Sequence, residues 1–219
     1  MKLILASTSP YRRQQMSRLG LPFQAAAPRF VEAAPGPNTD AARLVVGNAL
    51  GKALSLLAEY PGHLVIGSDQ VVRCEGRTLT KPGSPRVAVE QLLALAGREH
   101  ELLTGVAVVR ASSAPGKQAQ TTPESLEDVP GSSTLVVNRL RMRAISRDEA
   151  ETYVRLEQPL DCAGAYKSEA LGIALFEYLR GDDPTAIIGL PLIALLRLLR
   201  GFGVDPLNPS ADRPADRTS

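Results

Sequence analysis

Ser7-Thr8-Ser9-Pro10-Tyr11-Arg12-Arg13 gathers three aliphatic hydroxyls and two guanidinium groups in one short stretch. It follows an apolar run, Leu3 to Ala6, and opens a helical pattern in which Ser9 suits the N-cap and Pro10 the first helical position. Arginines in a first turn sit at the positive end of the helix dipole, which favours anions and disfavours cations. Free backbone N–H groups, hydroxyls and guanidinium forks together make a cradle for phosphate oxygens. The same residues also fit a solvated surface with acidic partners elsewhere. The motif is not a P-loop, because it has no glycines and no Gly-Lys-Ser/Thr ending.

Asp69 is the second candidate. With Ser68 and Gln70 it interrupts an apolar stretch from His63 to Val72. A carboxylate beside a buried strand needs a metal, an arginine or a catalytic task, unless Gly67-Ser68-Asp69 is a hairpin turn; both readings put Asp69 at a strand end. Asn48 and Lys52 stand four apart on a helical pattern, facing solvent or, for Lys52, a site. Glu32 is the one carboxylate of a proline- and glycine-bearing loop, Pro28 to Asn38, and reads as solvated. Asp161 to Gly172 is rich in small residues, carries three charges and has no helix or strand period; loops of that kind line sites.

The elements that must position these residues alternate between strand-like and helix-like segments, which predicts an α/β fold. After the first helix, ending near Gly20, a short strand is expected over 22–27. A long helix with Thr39 and Asp40 as its cap and first turn carries Val46, Leu50, Ala53, Leu54 and Leu57 at helical spacing. A short strand, Arg77 to Thr80, leads to Lys81-Pro82 and a helix from Ser84 to about Leu95. Residues 99–110 and 134–144 read as long strands of one sheet, joined by a flexible excursion at 111–133. Ser146 caps a helix through Arg155, and a last helix from Leu190-Pro191 to Gly201 buries Leu192, Leu195, Leu196 and Leu199. The domain is expected to span 1–207, with a disordered tail at 208–219.

With 219 residues and 44% apolar content, the chain can form one compact unit in two lobes. A net charge of +2 gives no global basic field for nucleic acid, so the phosphates would belong to a small ligand. Cys74 and Cys162 form no metal or disulfide framework, and the start of the chain shows no signal peptide; both point to the cytoplasm. Cys162 is expected to be buried and inert. The longest apolar run, Ala186 to Leu196, is broken by Gly189 and Pro191 and is too short to span a bilayer.

Five motifs in order, Ser7-Thr-Ser-Pro-Tyr-Arg-Arg13, Gly67-Ser-Asp-Gln70, Lys81-Pro82, Asp161-Cys-Ala-Gly164 with Lys167-Ser-Glu169, and Gly189-Leu-Pro191, resemble the Maf family of nucleoside triphosphate pyrophosphatases. The resemblance implies a mixed sheet in two lobes around a central cleft, related to the inosine triphosphatase fold. It further implies a divalent metal, Mg²⁺ or Mn²⁺, a homodimer, and cleavage between the α and β phosphates. Asp69 would be the catalytic carboxylate, as base or metal ligand, and Glu32 its partner on the metal. Ser7, Arg12 and Arg13 would hold the triphosphate, with Lys52 and Lys81 neutralising the leaving pyrophosphate. The family commonly has Asp-Glu where this chain has Val31-Glu32.

Tyr11, Gln70 and Glu169 resemble the branch acting on 7-methyl-GTP rather than the one acting on dTTP and UTP. A methylated, cationic purine prefers an aromatic face such as Tyr11 or Tyr166. Glu169 can accept two hydrogen bonds from guanine, and the neighbouring Lys167 joins the substrate contacts implied by the motif. Ala170 stands where the family usually has glycine. A regulatory role in septum formation is the alternative from another class.

Overall fold

The computed structural model describes residues 2–36, 39–110 and 131–208. Most of the excursion expected at 111–133 and of the tail expected at 208–219 therefore lies outside the described residues. The strands are β1 (Leu3–Ala6), β2 (Phe23–Ala26), β3 (Leu64–Cys74), β4 (Arg77–Leu79), β5 (Glu99–Arg110), β6 (Gly131–Met142) and β7 (Phe176–Arg180). The helices are α1 (Pro10–Ser17), α2 (Ala41–Leu54), α3 (Pro85–Leu95), α4 (Arg147–Glu157) and α5 (Leu192–Gly201), with 3₁₀ turns at Ala163–Ala165, Leu171–Leu175 and Pro184–Ile188. No described helix is long and apolar enough to cross a membrane.

One mixed sheet runs through the molecule in the order β2-β1-β3-β5-β6-β7. β1 is parallel to β2 and β3, and all other pairings are antiparallel. Alternation along β1 sorts its side chains. Leu3 and Leu5 pack with Met16 and the α5 leucines, while Ile4 and Ala6 pack with Ala49 and Ala53 of α2. At the far end of β3, β5 and β6, Val72, Leu102, Leu140 and Met142 meet α3 and α4. These are the two lobes, and the long strands β3 and β5 join them.

The cleft follows from strand register. Along one edge of β3, β1 pairs with Leu64 to Ile66 and β4 with Val72 to Cys74. Residues 67–71 between them have β5 on the other edge and no strand on this one. The chain leaving β1 at Ser7 and the chain leaving β4 toward Lys81 both enter that gap.

Several expectations change here. β3 runs unbroken, so Asp69 stands in mid-strand opposite Gly105, not at a strand end. β6 begins at Gly131, so residues 131–133 belong to the sheet. The edge strand β7 carried no clear period. In α5 the buried positions are Leu192, Ala194, Leu195 and Leu199, with Leu196 only partly buried. The fully buried stripe of α2 includes Val45, Asn48, Ala49, Lys52 and Ala53, whereas Val46, Leu54 and Leu57 pack at its margins. Glycines explain this: a Cβ at Gly67 would lie 2.0 Å from Ala49 O, and one at Gly105 2.4 Å from Val45 O. α2 lies on bare backbone, and small or polar residues fill its inner face.

Candidate active site

A cavity of about 450 Å³ opens at this gap. Ser9 caps α1 through a bond from Arg12 N at 3.4 Å, and Pro10 occupies the first turn. Ser7 is buried, its Oγ accepting from Ser9 N at 3.1 Å. Arg12 turns into the cavity, donating from Nε to Gly189 O at 2.9 Å. Burial pushes its pKa down, partly offset by the carboxylates of Asp69 and Glu32; an arginine stays charged regardless. Arg13 is exposed and does not line the cavity. One helical step separates the two guanidinium groups by about 100°.

Asp69 is held from α2. Its Oδ1 accepts from Lys52 Nζ at 2.7 Å and its Oδ2 from Asn48 Nδ2 at 2.9 Å. The same ammonium meets Glu32 Oε1 at 2.8 Å and Ser68 O at 3.3 Å, so its three protons face three oxygens. Asn48 also pairs with the Ala33 peptide, accepting from its N at 3.0 Å and donating to its O at 3.1 Å. Residues one turn apart on α2 thus each tie Asp69 to the loop carrying Glu32. Neither faces solvent, and Glu32 is half-exposed and ion-paired rather than free. Burial opposes ionisation of Glu32, but the hydrogen bond and charge of Lys52, then the charges of Lys81 and Arg12, hold its carboxyl below the usual range. Lys81 is exposed at the cavity wall. Val31 is 92% exposed and off the cavity, so the residue type there does not touch the site.

The other end of the cavity is lined by Tyr11, Tyr166, Asp161, Cys162 and Glu169. Tyr166 is buried, edge-on to Phe176 at 5.0 Å, with its hydroxyl 3.3 Å from His100 Nε2. Lys167 does not line the cavity. Its Nζ donates to Glu157 O at 2.7 Å and lies 5.8 Å from the Tyr11 ring centre, backing that ring. Burial raises the Tyr11 pKa, keeping a neutral phenol. Cys162 is only partly buried, but desolvation and then the Asp161 charge push its thiol up to about 12, so it is not a nucleophile at neutral pH. Gln70 lines the cavity, yet its amide nitrogen is spent on Ala186 O at 2.7 Å and Thr104 Oγ1 at 3.0 Å.

The cavity is therefore bipolar. Arg12, Lys52 and Lys81 against Asp69 and Glu32 leave one net positive charge at one end; at the other, Asp161 and Glu169 against Lys167 behind Tyr11 leave one net negative charge. Among the described residues no group of three or more His, Cys, Asp or Glu could cage a metal ion. Asp69 and Glu32 are carboxylate oxygens of the type a hard cation takes alongside phosphate oxygens and water, although here Lys52 and Asn48 engage both Asp69 oxygens and Lys52 one of Glu32.

The family model described as Maf-like protein matches residues 2–202. A Bordetella pertussis protein named 7-methyl-GTP pyrophosphatase is 44% identical over 206 residues, 94% of each chain. Proteins of the same name from Syntrophotalea carbinolica, 44% identical over 95% of this chain and 98% of the other, and Aromatoleum aromaticum, 44% over 93% and 96%, are similar throughout. Among solved structures, a nucleoside-triphosphatase (dITP/XTP pyrophosphatase) from Mycobacterium abscessus aligns over 93% of this chain and 95% of that one, at 16% identity and a TM-score of 0.40. That likeness carries no weight beside the sequence relatives. The match across nearly the whole chain, together with these relatives, shows that the chain belongs to the Maf family.

Proposed function

We propose that the protein hydrolyses 7-methyl-GTP to 7-methyl-GMP and pyrophosphate. The observation that carries this reading is the bipolar cavity. Its ends match a ligand with an anionic triphosphate at one end and a cationic purine at the other, and the named activity of the relatives agrees. Arg12 and Lys81 take the phosphate oxygens, with Ser7 beside them. The methylated base lies against Tyr11 or Tyr166, and Glu169 accepts its N1–H and exocyclic amine.

In the reaction a water oxygen bonds the α-phosphorus, the bond from that phosphorus to the bridging oxygen breaks, and pyrophosphate leaves. Asp69, aimed by Lys52 and Asn48, takes the water proton. Arg12 and Lys81 neutralise charge on the departing group. Glu32, with Asp69 beside it, would hold Mg²⁺ or Mn²⁺, which when bound supplies further neutralisation of the phosphates. A homodimer belongs to this reading through the family resemblance alone, and a cytoplasmic setting through the cysteines and the short apolar start of the sequence.

The test is release of monophosphate and pyrophosphate from 7-methyl-GTP, dTTP, UTP and CTP with Mg²⁺ or Mn²⁺. The reading expects 7-methyl-GTP to lead. Preference for dTTP or UTP refutes the base assignment, and no release from any nucleotide refutes the reaction.

A further inference from the structure

Gly189-Leu190-Pro191 has no side-chain chemistry, yet its first residue touches the best-placed cation of the cavity. Gly189 closes the turn Pro184–Ile188 at φ 113°, ψ 0°, where side-chain-bearing residues are strained. Its carbonyl accepts from Arg12 Nε at 2.9 Å and lies 2.9 Å from Ser68 Oγ, whose single proton it shares with Gly105 O at the same distance. Gln70 Nε2 fastens the same turn at Ala186 O, 2.7 Å away. On β3, then, Asp69 meets α2 on one face while Ser68 and Gln70 hold the turn on the other.

With Nε committed to Gly189, the two Nη groups of Arg12 have no protein partner among the described residues. A guanidinium fixed at Nε presents the Nη pair as a planar fork suited to phosphate oxygens. We propose that the Gly189 carbonyl is a positioning group that aims the Arg12 fork, and that Gln70 and Ser68 serve the reaction by anchoring its turn. This rests on the functional reading above. It gives the Gly-Leu-Pro motif a task, and it gives Gln70 one other than contact with the base.

A double-mutant cycle with Gly189→Ala and Arg12→Ala tests it, read as kcat/KM on 7-methyl-GTP per folded molecule. An added Cβ meets Arg12 Nε only at 3.5 Å, an ordinary contact, so the substitution acts through backbone conformation. Gly189→Ala alone is expected to lower kcat/KM by about 10- to 100-fold. In the Arg12→Ala background it should change the value by less than about twofold. Full multiplication of the two losses overturns the proposal while leaving the function intact. A wild type that releases no product from any nucleotide refutes the functional reading and this proposal together. If Gly189→Ala does not fold, Ser68→Ala replaces it with the same expected loss of effect in the Arg12→Ala background.

Discussion

Lys52 Nζ donates to Asp69 Oδ1 at 2.7 Å across the contact between α2 and β3, with both side chains buried. The pair is mutually dependent, since both charges are largely withdrawn from water, Asp69 meeting it only where it lines the cavity. Lys52→Met should lower stability by about 3–5 kcal/mol, because it leaves a buried carboxylate uncompensated, and should abolish pyrophosphate release. Asp69→Asn keeps the shape and leaves Lys52 paired with Glu32. It should lose activity while destabilising less than Lys52→Met, as read by denaturant unfolding. Equal destabilisation would argue against the shared-ammonium arrangement.

The close approach of α2 makes a second prediction. Gly67→Ala and Gly105→Ala each press a Cβ into helix backbone at 2.0 and 2.4 Å. Each should cost about 3 kcal/mol or more and displace Lys52 and Asn48 from Asp69. Gly47 lies on the same helix with nothing within 4 Å of an added Cβ. Gly47→Ala should stabilise by about 0.5–1 kcal/mol, and thermal melts of the three variants would separate the cases.

His100 is buried against Tyr166 and Phe176, and burial pushes its pKa down to about 4 from an ordinary 6.5. The unfolded chain then binds the proton first as pH falls. The resulting stability is fully present above about pH 6.5 and is lost between there and about pH 4, by up to roughly 3 kcal/mol. Urea titrations at pH 7, 5.5 and 4 should show this slope in the wild type and a shallower one in His100→Gln.

Arg12 and Arg13 should be separable. Only Arg12 lines the cavity, so Arg12→Ala should lower kcat/KM by about 100-fold, in line with loss of a charge-assisted phosphate contact. Arg13→Ala should change it by less than about threefold. Steady-state kinetics on both variants decides the matter, and similar losses would place Arg13 on the substrate.

Much of this was legible from residue types. Ser9 and Pro10 announced the start of α1, Ser146 capped its helix, α2 began one residue later than expected with Asp40 rather than Thr39 as its cap, and Asp69 stood out because carboxylates rarely interrupt apolar strands. What was not legible depends on register and close approach. No periodicity shows that Gly67 and Gly105 lie beneath α2, so the residue pattern leaves Asn48 and Lys52 open between solvent and a site. Arg13 shares its motif with Arg12, but helical geometry sends it outward. Nor does the sequence show that Gln70 fastens the Pro184–Ile188 turn at Ala186 O, 116 residues away.

The most direct test of a site built for a cationic base is the ratio of kcat/KM for 7-methyl-GTP over GTP, two substrates differing by one methyl group and its charge. Tyr11, Tyr166, Asp161 and Glu169 at one end of the cavity predict a ratio of about 10 to 100, falling toward unity in Glu169→Gln. Equal efficiency for the two nucleotides in the wild type would contradict the account.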